Sequence, residues 1–126
     1  MNNAIVLIAR LFLAHIFLLA GLGKLGAGYA GTQGYMESMG VPGALLPLVI
    51  MLEIGGSLAV ILGFFTRWAA LALAGFCLAA ALIFHRNWSD QIQMIIFMKN
   101  FAMAGGFLLL YVQGGGAFSV DAWRGK

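Results

Sequence analysis

Charge is what this sequence has least of. Four acidic residues and seven lysines and arginines amount to 9% of 126 residues, where a water-soluble domain carries about 25%. So few charges cannot hold 63% apolar residues in water, and a soluble globular domain is excluded. The net charge of +3 is too small and too scattered for a nucleic-acid surface, so no nucleic-acid partner is expected. It fits basic residues standing at membrane edges. A single cysteine, Cys77, inside an apolar run excludes an intrachain disulfide and a CxxC redox pair; its expected role is a small core residue. Two histidines, His15 and His85, with no carboxylate at ligand spacing make no metal shell, and no metal site is expected.

What the chain has is long apolar runs, with a mean hydropathy of +0.99. At about 1.5 Å per helical residue four of them are long enough to cross a bilayer: roughly 4–23, 44–65, 68–84 and 92–112. The expected fold is all-α, a bundle of four transmembrane helices forming one membrane domain over 1–126. The first run reads as a retained span and not as a signal peptide, because Arg10 follows the first apolar residues instead of preceding them. Residues 26–42 form the longest connection, rich in glycine and too polar to span. A short interfacial helix is expected at 32–39, with Thr32 as its N-cap and Gly40 as its stop.

Polar residues inside the runs fall on helical faces. Arg10, Ala14, Phe17, Gly21 and Lys24 recur at alternating steps of four and three, one side of a helix, while His15 lies well round the cylinder. Glu53 stands alone near the middle of the second run, with Gly56 and Ser57 three and four residues on, a small-residue face that admits a close neighbour. Ala74, Cys77, Ala81 and His85 share a face of the third run. In the fourth, Gln93 and Asn100 share a face and Lys99 lies a quarter-turn away. A carboxylate at bilayer depth costs about 2.5–3.5 kcal/mol, so Glu53 must face the bundle interior, a watery cavity or a cation.

Arg10 and Lys99 are the cations expected to meet it. Counting from the termini side puts Arg10 at about 9 Å, Glu53 and His15 at about 17 Å and Lys99 at about 20 Å, and a long guanidinium stem covers the difference. A buried Arg10–Glu53–Lys99 cluster is therefore expected. Lys24 either joins that seam or anchors at the membrane surface. A bis-histidine haem is excluded, because His15 and His85 differ in depth by about 10 Å or more. Arg67, Arg124 and Lys126 at one set of span ends, against Lys24 and Arg86 at the other, place both termini in the cytoplasm.

Three blocks, in order, carry a resemblance. They are ARLFLAHIFLLAGLGKL (9–25), PGALLPLVIMLEIGGSLAVILGFFTRWAAL (42–71) and FMKNFAMAGGFLLLYVQGGGAFSVD (97–121). The first carries Arg10, Gly21 and Lys24; the second Glu53, Gly55, Gly56, Gly63, Thr66 and Arg67; the third Lys99, Asn100, Ser119 and Asp121. Together they resemble the DoxX family of bacterial four-helix integral membrane proteins. The resemblance implies a multi-pass protein of the bacterial cytoplasmic (inner) membrane. It also implies kinship with the membrane subunit of a thiosulfate:quinone oxidoreductase and with partners of thiol-stress and superoxide-handling enzymes.

Three functions stay open. One is a quinone-reactive membrane subunit, fed with electrons by a redox partner, with Glu53, Lys99 and Arg10 as its reactive cluster and Asn100, Lys24 and His15 contacting the substrate. A bound quinone would then be its one cofactor. Another is a non-catalytic anchor or adaptor that recruits a redox or stress-response partner through residues 26–42 and the tail. The third is a small carrier for an anion or weak acid, which would require a homo-oligomer because the chain shows no internal repeat. A ligand-sized apolar slot leading to Glu53 favours the first; a dry, closed core favours the second.

Overall fold

The computed structural model describes residues 2–84 and 89–124. Among them the chain forms α1 (Asn2–Gly23), α2 (Ala27–Ser38), a 3-10 turn (Gly43–Leu45), α3 (Leu46–Leu62), α4 (Thr66–Phe84), α5 (Gln91–Gln113) and α6 (Val120–Trp123). Four helices are long and apolar enough to cross a membrane: α1, the turn with α3, α4 and α5. The expected all-α four-span bundle is what forms. His85, Arg86 and Lys126 lie outside the described residues.

Helix ends follow local chemistry. Pro47 sits at the start of α3, where a missing N–H breaks no bond. Asp90 caps α5, accepting the Ile92 N–H at 3.0 Å. The second run was expected to stay helical to Phe65, but α3 stops at Leu62 because Gly63 turns left-handed, at φ 74°.

Packing is sequential. α1 lies closely against α3, α3 against α4 and α4 against α5, whereas α1 and α5 scarcely touch. Small residues make the close seams possible: Ala14, Ala70, Ala74, Cys77, Ala81 and Ala104 are all buried. Large side chains fill the centre, where Phe17 meets Phe107 edge to face with centroids 5.6 Å apart. The rest of each helix turns apolar side chains outward, among them Phe12, Met51, Leu109 and Val112, as a lipid-facing surface requires. The seam read in α1 is real, with Arg10, Ala14, Phe17 and Gly21 buried.

α2 departs from expectation in extent and in capping. It begins at Ala27, so Thr32 lies inside it, and its hydroxyl donates to the Gly28 carbonyl at 2.9 Å instead of capping. The helix is docked and does not merely lie over the bundle mouth. Met36 is buried with Leu46 and Ile50, Tyr35 stacks on Phe84 at 5.4 Å, and Gln33 Nε2 donates to the Gly43 carbonyl at 3.2 Å.

At the opposite, termini-side end the tail closes the bundle. Asp121 accepts the Phe65 N–H at 2.7 Å, the Thr66 N–H at 2.8 Å and the Thr66 hydroxyl at 2.7 Å. These bonds hold the link before α4, where Phe65 adopts φ 48°, a left-handed conformation bulky residues avoid. The Asp121 N–H donates back to the Gly63 carbonyl at 2.8 Å. A side chain at Gly63 would strike Arg10 and Ser119. Partial burial pushes the Asp121 carboxyl up, but the Thr66 and Phe65 hydrogen bonds and the Arg124 charge hold it below its ordinary value.

Because the folded value lies below the unfolded one, Asp121 contributes stability above the ordinary aspartate range, about pH 3.9. That contribution is lost as pH falls through the depressed folded value. Asp121→Asn is expected to lower thermal stability in mild detergent by about 1.5–3 kcal/mol at neutral pH, the worth of hydrogen bonds to a charged group. Wild type and variant should converge as pH falls from about 4 through the depressed folded value; a gap unchanged by acid would refute the assignment.

Candidate functional site

Glu53 lies mid-way along α3 and is 3% exposed. Its partner is Lys24, with Nζ 2.8 Å from Oε1. Gly21 brings the two together. A Cβ added there would lie 2.6 Å from Ile54 Cγ1 and 3.1 Å from Glu53 Cβ, so only glycine lets α1 run this close to α3. One turn later the chain leaves α1, and Lys24 stands at the break before α2, directing its ammonium to Glu53 and to the Ala20 carbonyl at 3.4 Å. The Lys24–Glu53 contact is a close pair of ammonium and carboxylate. A carboxylate accepts at about four lone-pair positions, so capacity remains for a ligand's donor.

The pair opens on a cavity of about 480 Å³ bounded by α1, α2, α3, α4 and α5. That lies within the roughly 300–1,000 Å³ of small-molecule sites. Its walls are apolar, including Phe17, Val49, Phe76, Ile83, Phe84 and Met103. Its polar groups are few: Glu53, Lys24, Asn100, Thr32 and Tyr35. Asn100 is 7% exposed and donates one Nδ2 hydrogen to the Ile96 carbonyl at 3.1 Å, which leaves a second hydrogen and the side-chain carbonyl for other partners. Thr32, Tyr35 and Met36 share one face of α2 at i, i+3 and i+4, and α2 lays that face along the cavity.

The expected three-membered cluster does not form. Arg10 is fully buried, but it serves the termini-side end. Its guanidinium donates to the Val60 carbonyl at 3.2 Å and to the Phe118 carbonyl. Depth is the reason: the stem extends away from Glu53, toward Val60 near the end of α3 and Phe118 in the tail. Lys99 is exposed on the outer face of α5 and makes no ion pair among the described residues. The quarter-turn between positions 99 and 100 puts Asn100 inside and Lys99 out. His15 is also exposed, with Nδ1 2.7 Å from the Phe12 carbonyl, and does not reach the cavity. Of the residues singled out in the sequence, Glu53, Lys24 and Asn100 come together; Arg10, Lys99 and His15 do not.

Two sets of residues were not singled out as site residues in the sequence. Thr32 and Tyr35 reach the cavity because α2 is longer and better docked than its composition suggests. The Thr66–Asp121 clasp left a trace, in that both positions fall in recurrent glycine-bounded blocks, but no spacing rule joins residues 55 apart.

Comparison with known proteins gives a consistent relationship. A family model described as DoxX matches residues 5–86. Inner membrane protein YqjF of Escherichia coli strain K12 is 54% identical over 121 residues, covering 96% of this chain and 92% of that protein. Inner membrane protein YphA of the same strain is 39% identical over 124 residues, covering 93% of this chain and 88% of that protein. No solved structure matches the chain.

The geometry makes Lys24 and Glu53 a coupled pair. Lys24→Met leaves a buried carboxylate without its cation and is expected to destabilise the detergent-solubilised protein by about 3 kcal/mol. Adding Glu53→Gln should recover most of that loss, because the double variant has no uncompensated charge. Additive losses in a thermal double-mutant cycle would show that the two side chains are not coupled.

Proposed function

The chain belongs to the DoxX family of membrane proteins, and on that premise we propose that it acts in the bacterial inner membrane as the quinone-binding subunit of a redox complex. The observation that carries this is the apolar cavity of about 480 Å³ ending on a buried Glu53–Lys24 pair. A quinone asks for an apolar slot, hydrogen-bond donors for its two carbonyl oxygens, and a proton source. The cavity has all three kinds of group: aromatic and aliphatic walls, the Lys24 ammonium and Asn100 amide as donors, and Glu53 as a carboxyl that can hold and pass a proton.

A bound quinone supplies the redox chemistry by accepting two electrons and two protons. The chain's residues do the rest. Lys24 and Asn100 orient the head, the Phe17, Phe76 and Phe84 rings exclude water, and Glu53 shuttles protons from the α2-side surface by way of Lys24's neighbourhood. No electron carrier is present in the sequence, so electrons come from a partner protein. Arg10 holds the fold instead of touching the ligand, and Lys99 and His15 lie outside the site.

Purified protein, released gently from membranes, is expected to retain quinone in native mass spectrometry. Decyl-ubiquinone should bind saturably, and Lys24→Met and Glu53→Gln should each weaken it by about tenfold or more, the equivalent of one charge-assisted hydrogen bond. Absence of both retained quinone and saturable binding in wild type would overturn the proposal.

The termini are assigned to the cytoplasm from the excess of basic residues at their end, with Arg67, Arg124 and Lys126 against Lys24 and Arg86. A green fluorescent protein fused to the C-terminus should therefore fluoresce and a fused alkaline phosphatase should be inactive; the reverse pattern would invert the topology.

A further inference from the structure

The bundle has three closed seams and one open one. α1 packs closely on α3, α3 on α4 and α4 on α5, whereas α1 and α5 approach each other closely at few points. They meet toward the termini side, where Leu13 packs against Gly106 and Phe17 against Phe107. Toward α2 they separate, and the cavity lies between them. Running antiparallel, Ile16, Ala20 and Lys24 of α1 and Met103, Asn100 and Ile96 of α5 form its two facing edges. Ile16, although it lines the cavity, is 46% exposed, and Ala20, Ile96 and Met103 are half-buried. The edges therefore look both into the cavity and out to where acyl chains lie.

The other direct way in is covered. On the α2 side Met36 is buried against Leu46 and Ile50, and the Tyr35 ring stacks on Phe84. A ligand arriving from water would have to displace those contacts. One arriving from the bilayer meets a gap with apolar edges.

We infer that the α1–α5 gap is a lateral portal through which a lipid-soluble ligand enters from the bilayer, and that its hydrocarbon tail stays seated between Ile16, Ala20, Ile96 and Met103 while its head reaches Glu53 and Lys24. This rests on the quinone reading for the head and adds the route and the tail seat. Ala20 becomes a specificity-determining residue: it is the small side chain at the middle of the α1 edge, and its size sets the width available to the tail. Because the tail comes from hydrocarbon, its seating gains packing contacts and not transfer out of water, so the width at Ala20 decides whether it fits.

The test uses the full chain in nanodiscs of phosphatidylethanolamine and phosphatidylglycerol, with two photoreactive ubiquinone analogues mapped by mass spectrometry. One carries an azide on the ring, the other near the end of a ten-carbon tail. The ring probe is expected to label peptides around Lys24 and Glu53, and the tail probe peptides containing Ile16 or Ala20 and Ile96 or Met103. In parallel, Ala20→Phe should weaken decyl-ubiquinone at least tenfold while changing the affinity of tail-less ubiquinone-0 by less than threefold.

If the ring probe labels near Glu53 but the tail probe labels Val41, Leu45 or Val49, the portal is wrong and the quinone reading stands. If Ala20→Phe weakens both analogues equally, the tail seat is wrong. If the ring probe labels nothing specifically, the quinone reading fails and the portal fails with it. The labelling is done on wild type, so a misfolded Ala20→Phe would not blunt it.

Discussion

A charge placed in hydrocarbon must find a partner, or it costs several kcal/mol, and the contact between Glu53 and Lys24 is where this chain meets that requirement. The contact exists only because α1 approaches α3 at Gly21 closely enough for the next turn to present a lysine. From it follow the break between α1 and α2, the placement of α2's Thr32–Tyr35–Met36 face, and a polar end to an otherwise apolar cavity. Helices bury Glu53 almost completely and Lys24 in part, so removing one partner is expected to cost more than removing both.

Arg10 solves the same problem by another route. It has no carboxylate within an ion-pair distance among the described residues and donates instead to the Val60 and Phe118 carbonyls. A guanidinium, with five N–H groups in a planar fork, can serve carbonyls of two segments at once, here one in the last turn of α3 and one in the tail. Beside it the Thr66–Asp121 clasp ties the tail to the α3–α4 link. The molecule thus has a well-bonded termini-side half and a looser half on the α2 side. Binding is assigned to the looser half, in keeping with the general rule that functional openings are drawn from the less stable parts of a fold.

The family relationship and the physical reading meet at different depths. Membership of the DoxX family, at 54% identity to YqjF over nearly the whole chain, establishes kinship and membrane character. The printed names of the relatives carry no reaction, so the functional reading rests on the cavity and on the residues at its polar end. Adaptor and carrier functions use a cavity of this kind poorly: the first needs none, and the second needs one reachable from two sides.

The sequence by itself determined the class of the fold. Apolar runs of bilayer length with so few charges leave no other architecture, and the three- and four-residue spacing of Arg10, Ala14, Phe17 and Gly21 named the buried face of α1, because helical periodicity is a local property. The same local rule separated Asn100 from Lys99 by a quarter-turn, without saying which of them faced inward. Only the tertiary structure decided which charges meet. Pairing depends on how far antiparallel helices slide past one another and on which way a long stem extends. Neither is encoded in the spacing along one helix, so Lys24 took the place expected of Arg10 and Lys99 at Glu53. The cavity was equally beyond reach of periodicity, since a gap between α1 and α5 is a property of the whole bundle's closure and of no single segment.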